Sequence, residues 1–450
     1  MYEGKTHTLF FRYAVPQMVG LLFNSIYTIV DGVFIGNRLG RNDMAAAAVS
    51  VPLIEIQISL ALAVASGAAV MIATRLGQGK IAAAQKIFNT AVWMIGGTGL
   101  LIALTGNLFL RPLAESLGAT PDIMDEAAIY LWYIVTFAPF QLFSFLLGSM
   151  VRNDGRPKLA MIAMILGAVS NIVLDYVFMY PLNMGIAGAA MATALGPIFS
   201  VFILLPHFIL KKGNLCFIRC SLQLKDIKQV LFYGFPSFIM EFTIGMVTFI
   251  YNFAIKYFGF GEIGLAAYLV IGYLMLILLT IFLGMAEGLQ PVFSYFMAIG
   301  AEKKNHDMRR FSTGIFLGAG IISYGLIVFF AGDFFSIFSP NDMELVAFAQ
   351  SKSIAYFCGF FLAGFNILMI SFWQSTASTS GALIISLLRS LLWPSILMIT
   401  LPLIFGREAI WICQSSSETA TACIAVMLQL LSNKDKRQQQ QADAGSPDEL

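Results

Sequence analysis

Twelve long apolar stretches, parted by short polar connections, fill almost the whole chain. They fall at 10–36, 46–74, 88–111, 126–150, 158–181, 186–210, 229–257, 262–298, 311–338, 345–373, 380–404 and 407–431. Each is near or above the roughly 20 residues that an α-helix needs to cross the hydrocarbon core, and several are long enough to tilt. The pattern predicts an all-α polytopic membrane protein with twelve transmembrane helices.

The stretches repeat. Tyr13-Ala-Val-Pro16 returns as Tyr233-Gly-Phe-Pro236, and Pro181 and Gly185 return as Pro402 and Gly406, at a nearly constant offset of just under half the chain. Six spans per repeat is an even number, so both halves enter the membrane from the same side. The expectation is two pseudo-symmetric six-helix lobes around a central cavity, related by an axis along the membrane normal. The lobes are placed at 1–211 and 229–431, with a cytoplasmic linker at 212–228 and a disordered cytoplasmic tail at 432–450. Pro16 and Pro236, each early in its half, are candidate kinks.

Composition and charge sharpen this picture. The chain is 58% hydrophobic and 12% charged, against about 25% charged for a soluble domain. Fifteen Lys and Arg fall on the side of the connections shared by both termini and six on the other, which places both termini in the cytoplasm. A net charge of +2 offers no field for nucleic acid. The spacing of Cys216 and Cys220 does not by itself define a zinc site, and the three His form no cluster. No cleavable signal peptide and no nucleotide-binding motif is expected, so the chain reads as neither an enzyme nor an ATP-driven pump.

Ionisable residues inside the spans are Asp31, Glu55, Asp175, Glu241, Glu287, Arg389 and Glu418. Each is expensive in lipid and therefore a functional candidate. Asp31 and Asp175 lie about five or six residues from the outer ends of spans 1 and 5, at similar depth. Asn24 and Tyr27 share a helix face with Asp31, Asn171 shares one with Asp175, and Thr193 reaches the same level from span 6. Together they form an all-oxygen set suited to Na⁺, with Asp31, Asn171, Asp175 and Thr193 as its ligands. Two close carboxylates in a low dielectric cannot both stay ionised, which equally suits proton uptake and release. Glu241, near mid-span in the second half, is a candidate for a cationic substrate or a proton. Arg389 and Glu418 lie in adjacent spans within reach of each other and read as a structural ion pair.

These residues resemble the multidrug and toxic compound extrusion (MATE) family over about 10–431. The carriers are Pro16 with Val30-Asp-Gly-Val-Phe-Ile-Gly36, Leu76-Gly-Gln-Gly79, Arg152-Asn-Asp-Gly-Arg-Pro157, Asn171-Ile-Val-Leu-Asp175, the run Gly185–Thr193, and Gly288-Leu-Gln-Pro291. The chain is most similar to the bacterial branch of the DNA-damage-inducible transporters. One departure is Ser415, where the family usually has a proline before the span-12 glutamate.

The resemblance implies export of amphipathic, often cationic drugs in exchange for H⁺ or Na⁺ by alternating access. It implies a monomer in the bacterial inner membrane and no further cofactor. By motif match it assigns Asn24, Tyr27, Asp31, Asn171, Asp175 and Thr193 to the coupling site. The competing reading is a flippase for lipid-linked saccharides, which expects several cationic residues along the cavity where this chain has Arg389 alone. A receptor or scaffold has no need of paired intramembrane carboxylates.

Overall fold

The computed structural model describes residues 4–39, 41–219, 221–338, 342–376 and 379–444, and all regular structure among them is helical. The first half of the chain supplies α1 (Thr6–Arg38), α2 (Arg41–Gly77), α3 (Ile81–Leu108) and the short α4 (Leu110–Ser116). It continues with α5 (Met124–Thr136), α6 (Ala138–Asn153), α7 (Pro157–Met179) and α8 (Gly185–Ile209). The second half supplies α9 (Leu224–Tyr257), α10 (Gly261–Ala298), α11 (Glu302–Phe338), α12 (Met343–Phe357) and α13 (Phe360–Ser375). A π-turn, Leu388–Leu392, joins α14 (Thr379–Leu387) to α15 (Trp393–Phe405), and α16 (Cys413–Ala444) follows.

Among the described residues nine helices are long and apolar enough to cross a membrane, and eleven spans result when each of two bent pairs counts as one. The expected twelfth, 407–431, begins as a 3₁₀ turn, Arg407–Ile412, and continues in α16, whose first turns carry Gln414, Ser415, Ser416, Ser417 and Glu418. Those polar residues dilute its hydropathy, yet Gln414, Ser415, Ser417 and Glu418 are buried by protein. The fold is the all-α, twelve-span arrangement that hydropathy predicts.

The bends follow the internal repeat. α5 and α6 meet at 45° around Phe137, and α12 and α13 meet at 48° at Cys358, the equivalent place in the second repeat. At the first break Pro139 lacks the N–H that would continue the ladder. At the second, Ser415 supplies what the break frees: its hydroxyl donates to Tyr356 O at 2.7 Å and accepts from Gly359 N at 2.9 Å. The serine at the family's proline position thus stitches span 12 to the broken span 10. Pro16 and Pro236 lie inside unbroken helices.

Packing divides the chain into two compact units: Met1–Met246 with Tyr273–Ser312 and Ser371–Thr379, and Val247–Gly272 with Thr313–Ile370 and Ser380–Leu450. These units cut across the sequence halves, because α9, α10, α11 and α13 each give part of their length to the first unit. Two expected boundaries shift. Residues 224–228, expected in the linker, already form the first turns of α9, with Asp226 at the favourable N-terminal end. The tail expected to be disordered from Ser432 continues α16 as helix through Ala444, a run of Lys, Gln, Arg and Ala with no breaker. Residues 445–450 lie outside the described residues.

The connection between the halves is tied down side chain by side chain. α6 ends in a left-handed Gly155 (φ 82°), as the Asn-Asp-Gly run suggests, and the turn presents Asp154. Buried Asp154 accepts from Asn214 N at 2.8 Å and Leu215 N at 3.2 Å, and pairs with His207 Nε2 at 2.8 Å. On α3, Gln85 donates to Asn214 O, while Asn89 donates to Cys216 O at 3.0 Å and accepts from Ile218 N at 3.1 Å. A Cβ on Gly213 would meet Asp154 Oδ2 at 1.8 Å, so only glycine fits under this strap.

Candidate functional site

The first unit packs α1, α7 and α8 closely because small residues face one another. A Cβ on Gly167 of α7 would fall 2.3 Å from Ser200 Oγ and 3.1 Å from Gly196 O, both on α8. Ser200 donates to Ala163 O at 2.9 Å and locks this approach. One and two turns beyond Gly167 come Asn171 and Asp175, on the same face of α7. Three residues before Gly196 comes Thr193. Gly20 lets α1 reach Met164 of α7, since a Cβ there would sit 2.8 Å from its Sδ.

This packing brings Asp31 of α1 against Asp175 of α7. With both carboxylates ionised, Asp31 Oδ1 and both oxygens of Asp175 are buried without a hydrogen-bond donor. The two carboxyls are within hydrogen-bonding reach of each other, a geometry that a single proton could bridge. Asn171 Oδ1 and Nδ2 and Thr193 Oγ1 are likewise buried and unsatisfied. Such an accumulation of unsatisfied polar atoms is costly unless something fills it. The oxygens fit a proton or a hard cation; among the described residues no three His, Cys, Asp or Glu gather as a transition-metal site would require.

Tyr27 lies within electrostatic range of both carboxylates. Tyr130 of α5, which sequence reasoning missed, is within electrostatic range of Asp31, Asp175 and Tyr27 and lies beside Thr193. A tyrosine in an apolar span carries no signal that separates it from ordinary core. Asn24 is half-buried about 10 Å, two helical turns, before Asp31, and its carbonyl accepts from Thr28. It is therefore the outlying member of the predicted set.

The remaining intramembrane charges sort into two groups. In the first unit Glu241 of α9 is half-buried within electrostatic range of Glu55 of α2 and Glu287 of α10. Among the described residues a cation stands beside Glu287 alone: Arg152 Nη2, at 3.8 Å. Arg152, expected in a solvated connection, is instead buried at the end of α6. In the second unit Arg389 and Glu418 form the expected ion pair, with Nη2–Oε1 at 2.8 Å and Nε–Oε2 at 3.1 Å. Asn366 and Gln414 also donate to that carboxylate. At the position repeating Asp31 stands Tyr251, fully buried and stacked on Tyr268 at 4.8 Å. The second half has no carboxylate pair there, as the offset predicts.

Comparisons with known proteins bear on the chain as a whole. A family model described as MatE matches residues 16–177. The chain is 25% identical over 436 residues to Multidrug export protein MepA of Staphylococcus saprophyticus, covering 95% of this chain and 93% of that protein. It is 24% identical over 431 residues to the MepA of Staphylococcus aureus strain MSSA476, covering 93% of each. The crystal structure of MATE in complex with MaD3S superposes with a TM-score of 0.89 at 22% identity, over 97% of this chain and 98% of that one. A MOP-superfamily transporter from Pyrococcus furiosus does so with a TM-score of 0.89 at 22% identity, over 95% and 96%. At such identities the structural likeness speaks for the fold.

Proposed function

The chain belongs to the MATE family of transporters, and from that premise we propose that it exports amphipathic, often cationic small molecules in exchange for H⁺ or Na⁺. The observation that carries this reading is the Asp31/Asp175 pair, buried among unsatisfied oxygens. A buried pair carrying more negative charge than its surroundings balance is unstable, and uptake of one H⁺ or Na⁺ relieves it. Na⁺ as a transported ion would be held by oxygens of Asp31, Asp175, Asn171 and Thr193. A proton would sit between the two carboxyls, with Tyr130 and Tyr27 framing them. Either ion changes what α1 and α7 must shield from lipid, and so biases two arrangements of the first half. That bias is the physical content of alternating access here. The protein works as a monomer in the bacterial inner membrane with both termini in the cytoplasm.

Among the described residues neither Glu241 nor Glu55 forms an ion pair; the two lie within electrostatic range of each other, and a cationic substrate would supply the missing positive charge. Glu241→Gln is expected to weaken binding of a monocationic dye about tenfold and that of a neutral one about twofold or less. Equal losses for both dyes, measured by fluorescence titration, would remove Glu241 from the substrate site. The flippase reading is weakened by a specific observation. Arg389 is engaged by Glu418 through two bonds rather than free to meet a pyrophosphate headgroup. Drug efflux from proteoliposomes under separate pH and Na⁺ gradients tests the function. One gradient is expected to drive efflux, and efflux that ignores both sinks the antiport reading.

A further inference from the structure

Two buried polar knots in the first unit join residues from opposite halves of the chain at the membrane face that bears the N-terminus. In one, Gln17 of α1 donates through Nε2 to Glu287 Oε2 of α10 at 2.8 Å and accepts from Arg152 of α6 through Oε1. Arg152 also stands 3.8 Å from Glu287. In the other, Gln374 of α13 donates through Nε2 to Tyr233 O of α9 at 2.6 Å and lies 3.3 Å from Ser66 Oγ of α2. Ser237 of α9 donates to its Oε1 at 3.3 Å.

The two knots occupy the same places in the repeat. Gln17 and Ser237, Ser66 and Glu287, and Arg152 and Gln374 are each separated by the repeat offset, to within one position. The helices correspond too: α1 with α9, α2 with α10, and α6 with α13. The sequence thus writes one device twice, once with charges and once with neutral groups.

Backbone contacts beside each knot are as close as glycine allows. A Cβ on Gly288 of α10 would stand 2.4 Å from Tyr13 O of α1. A Cβ on Gly67 of α2 would stand 1.9 Å from Val230 O of α9, and one on Gly234 of α9 1.6 Å from Ala63 O. Gly67 and Gly288 are themselves repeat equivalents. Helices that touch backbone to backbone admit no solute between them. Gln17, Arg152 and Gln374 are buried, so parting the helices without water would strand their polar groups.

We infer that the Arg152–Gln17–Glu287 and Gln374–Ser237–Ser66 knots are a pseudo-symmetric double latch that holds this face shut and releases it when water replaces the paired groups. The charged knot is the stronger bolt, because cutting it strands a buried ion. The neutral knot is weaker.

The test reads distance rather than export, so its failure is separable from failure of the antiport reading. Spin labels are placed at exposed Gln78 and Lys303. These flank the close approach of Gly77 to Ala298, where a Cβ would stand 2.7 Å from that of Ala298. In lipid nanodiscs the wild-type distribution is expected to be mainly short. Glu287→Leu is expected to raise the long-distance population about fivefold and Gln374→Leu about twofold. The exchange R152E/E287R is expected to return it to within about twofold of wild type, because the amide of Gln17 can turn over to serve the swapped charges. Gln374→Leu strands no charge and folds on milder terms, so it carries the expectation by itself. An unchanged distribution in Gln374→Leu, or an exchange that stays as open as Glu287→Leu, overturns the latch.

Discussion

Asp175→Asn is expected to cut ion-driven export about tenfold or more while leaving the protein folded. Asn has the shape of Asp but not its charge. Asp175 is fully buried, both its oxygens lack donors, and its neighbour is another carboxylate. Removing its charge takes away the reason for an ion to bind, and with it the coupling free energy that the ion supplies. The same change removes an uncompensated buried charge, so thermal stability in detergent should hold or rise. The paired readout matters. If the two aspartates were only a hydrogen-bonded structural core, Asp175→Asn would lose stability and keep coupling. Efflux under an imposed gradient that stays at the wild-type rate in both Asp31→Asn and Asp175→Asn would end the assignment.

The largest stability effect is expected from Arg389→Met, about 3–5 kcal/mol. Glu418 is fully buried and takes two bonds from Arg389, one from Asn366 at 2.8 Å and one from Gln414 at 3.2 Å. Truncating the guanidinium leaves a carboxylate in the interior with amide partners only. Lys cannot repair this, because a single ammonium does not reproduce the fork that meets both carboxylate oxygens. The double change R389M/E418L removes both charges and is expected to regain most of the loss. Thermal melts of the three variants in one detergent measure it. A double variant as weak as the single would show that packing around the π-turn, not the charge pair, carries the stability.

Much of this is legible before any coordinates. Hydropathy locates the spans, and a helical rise of about 1.5 Å per residue puts Asp31 level with Asp175. The Arg389–Glu418 pair follows from the same conversion of sequence distance to depth. What stays hidden depends on which face a residue turns. Arg152 reads as one more basic residue of a connection, because only packing reveals that α6 carries it inward to Glu287. Tyr130 and Asn366 look like any polar residue in an apolar run. The breaks in spans 4 and 10 escape hydropathy because it averages across Pro139 and Gly359, whereas bending depends on single backbone hydrogen bonds. Ser415 shows the reverse case: a departure from the family's proline becomes intelligible once its two bonds to the broken span are seen.

The strap between the halves sets a leash. Asn89 of α3 grips Cys216 and Ile218, and α9 begins at Leu224. The few residues between can span no more than about 20 Å when fully drawn out. As long as Asn89 and Asp154 keep their hold, the start of α9 stays within that radius of α3, however the rest of the chain rearranges. Chain length alone therefore caps how far the start of α9 can travel from α3, so this end of the second half is held more closely than any end that lacks such a strap.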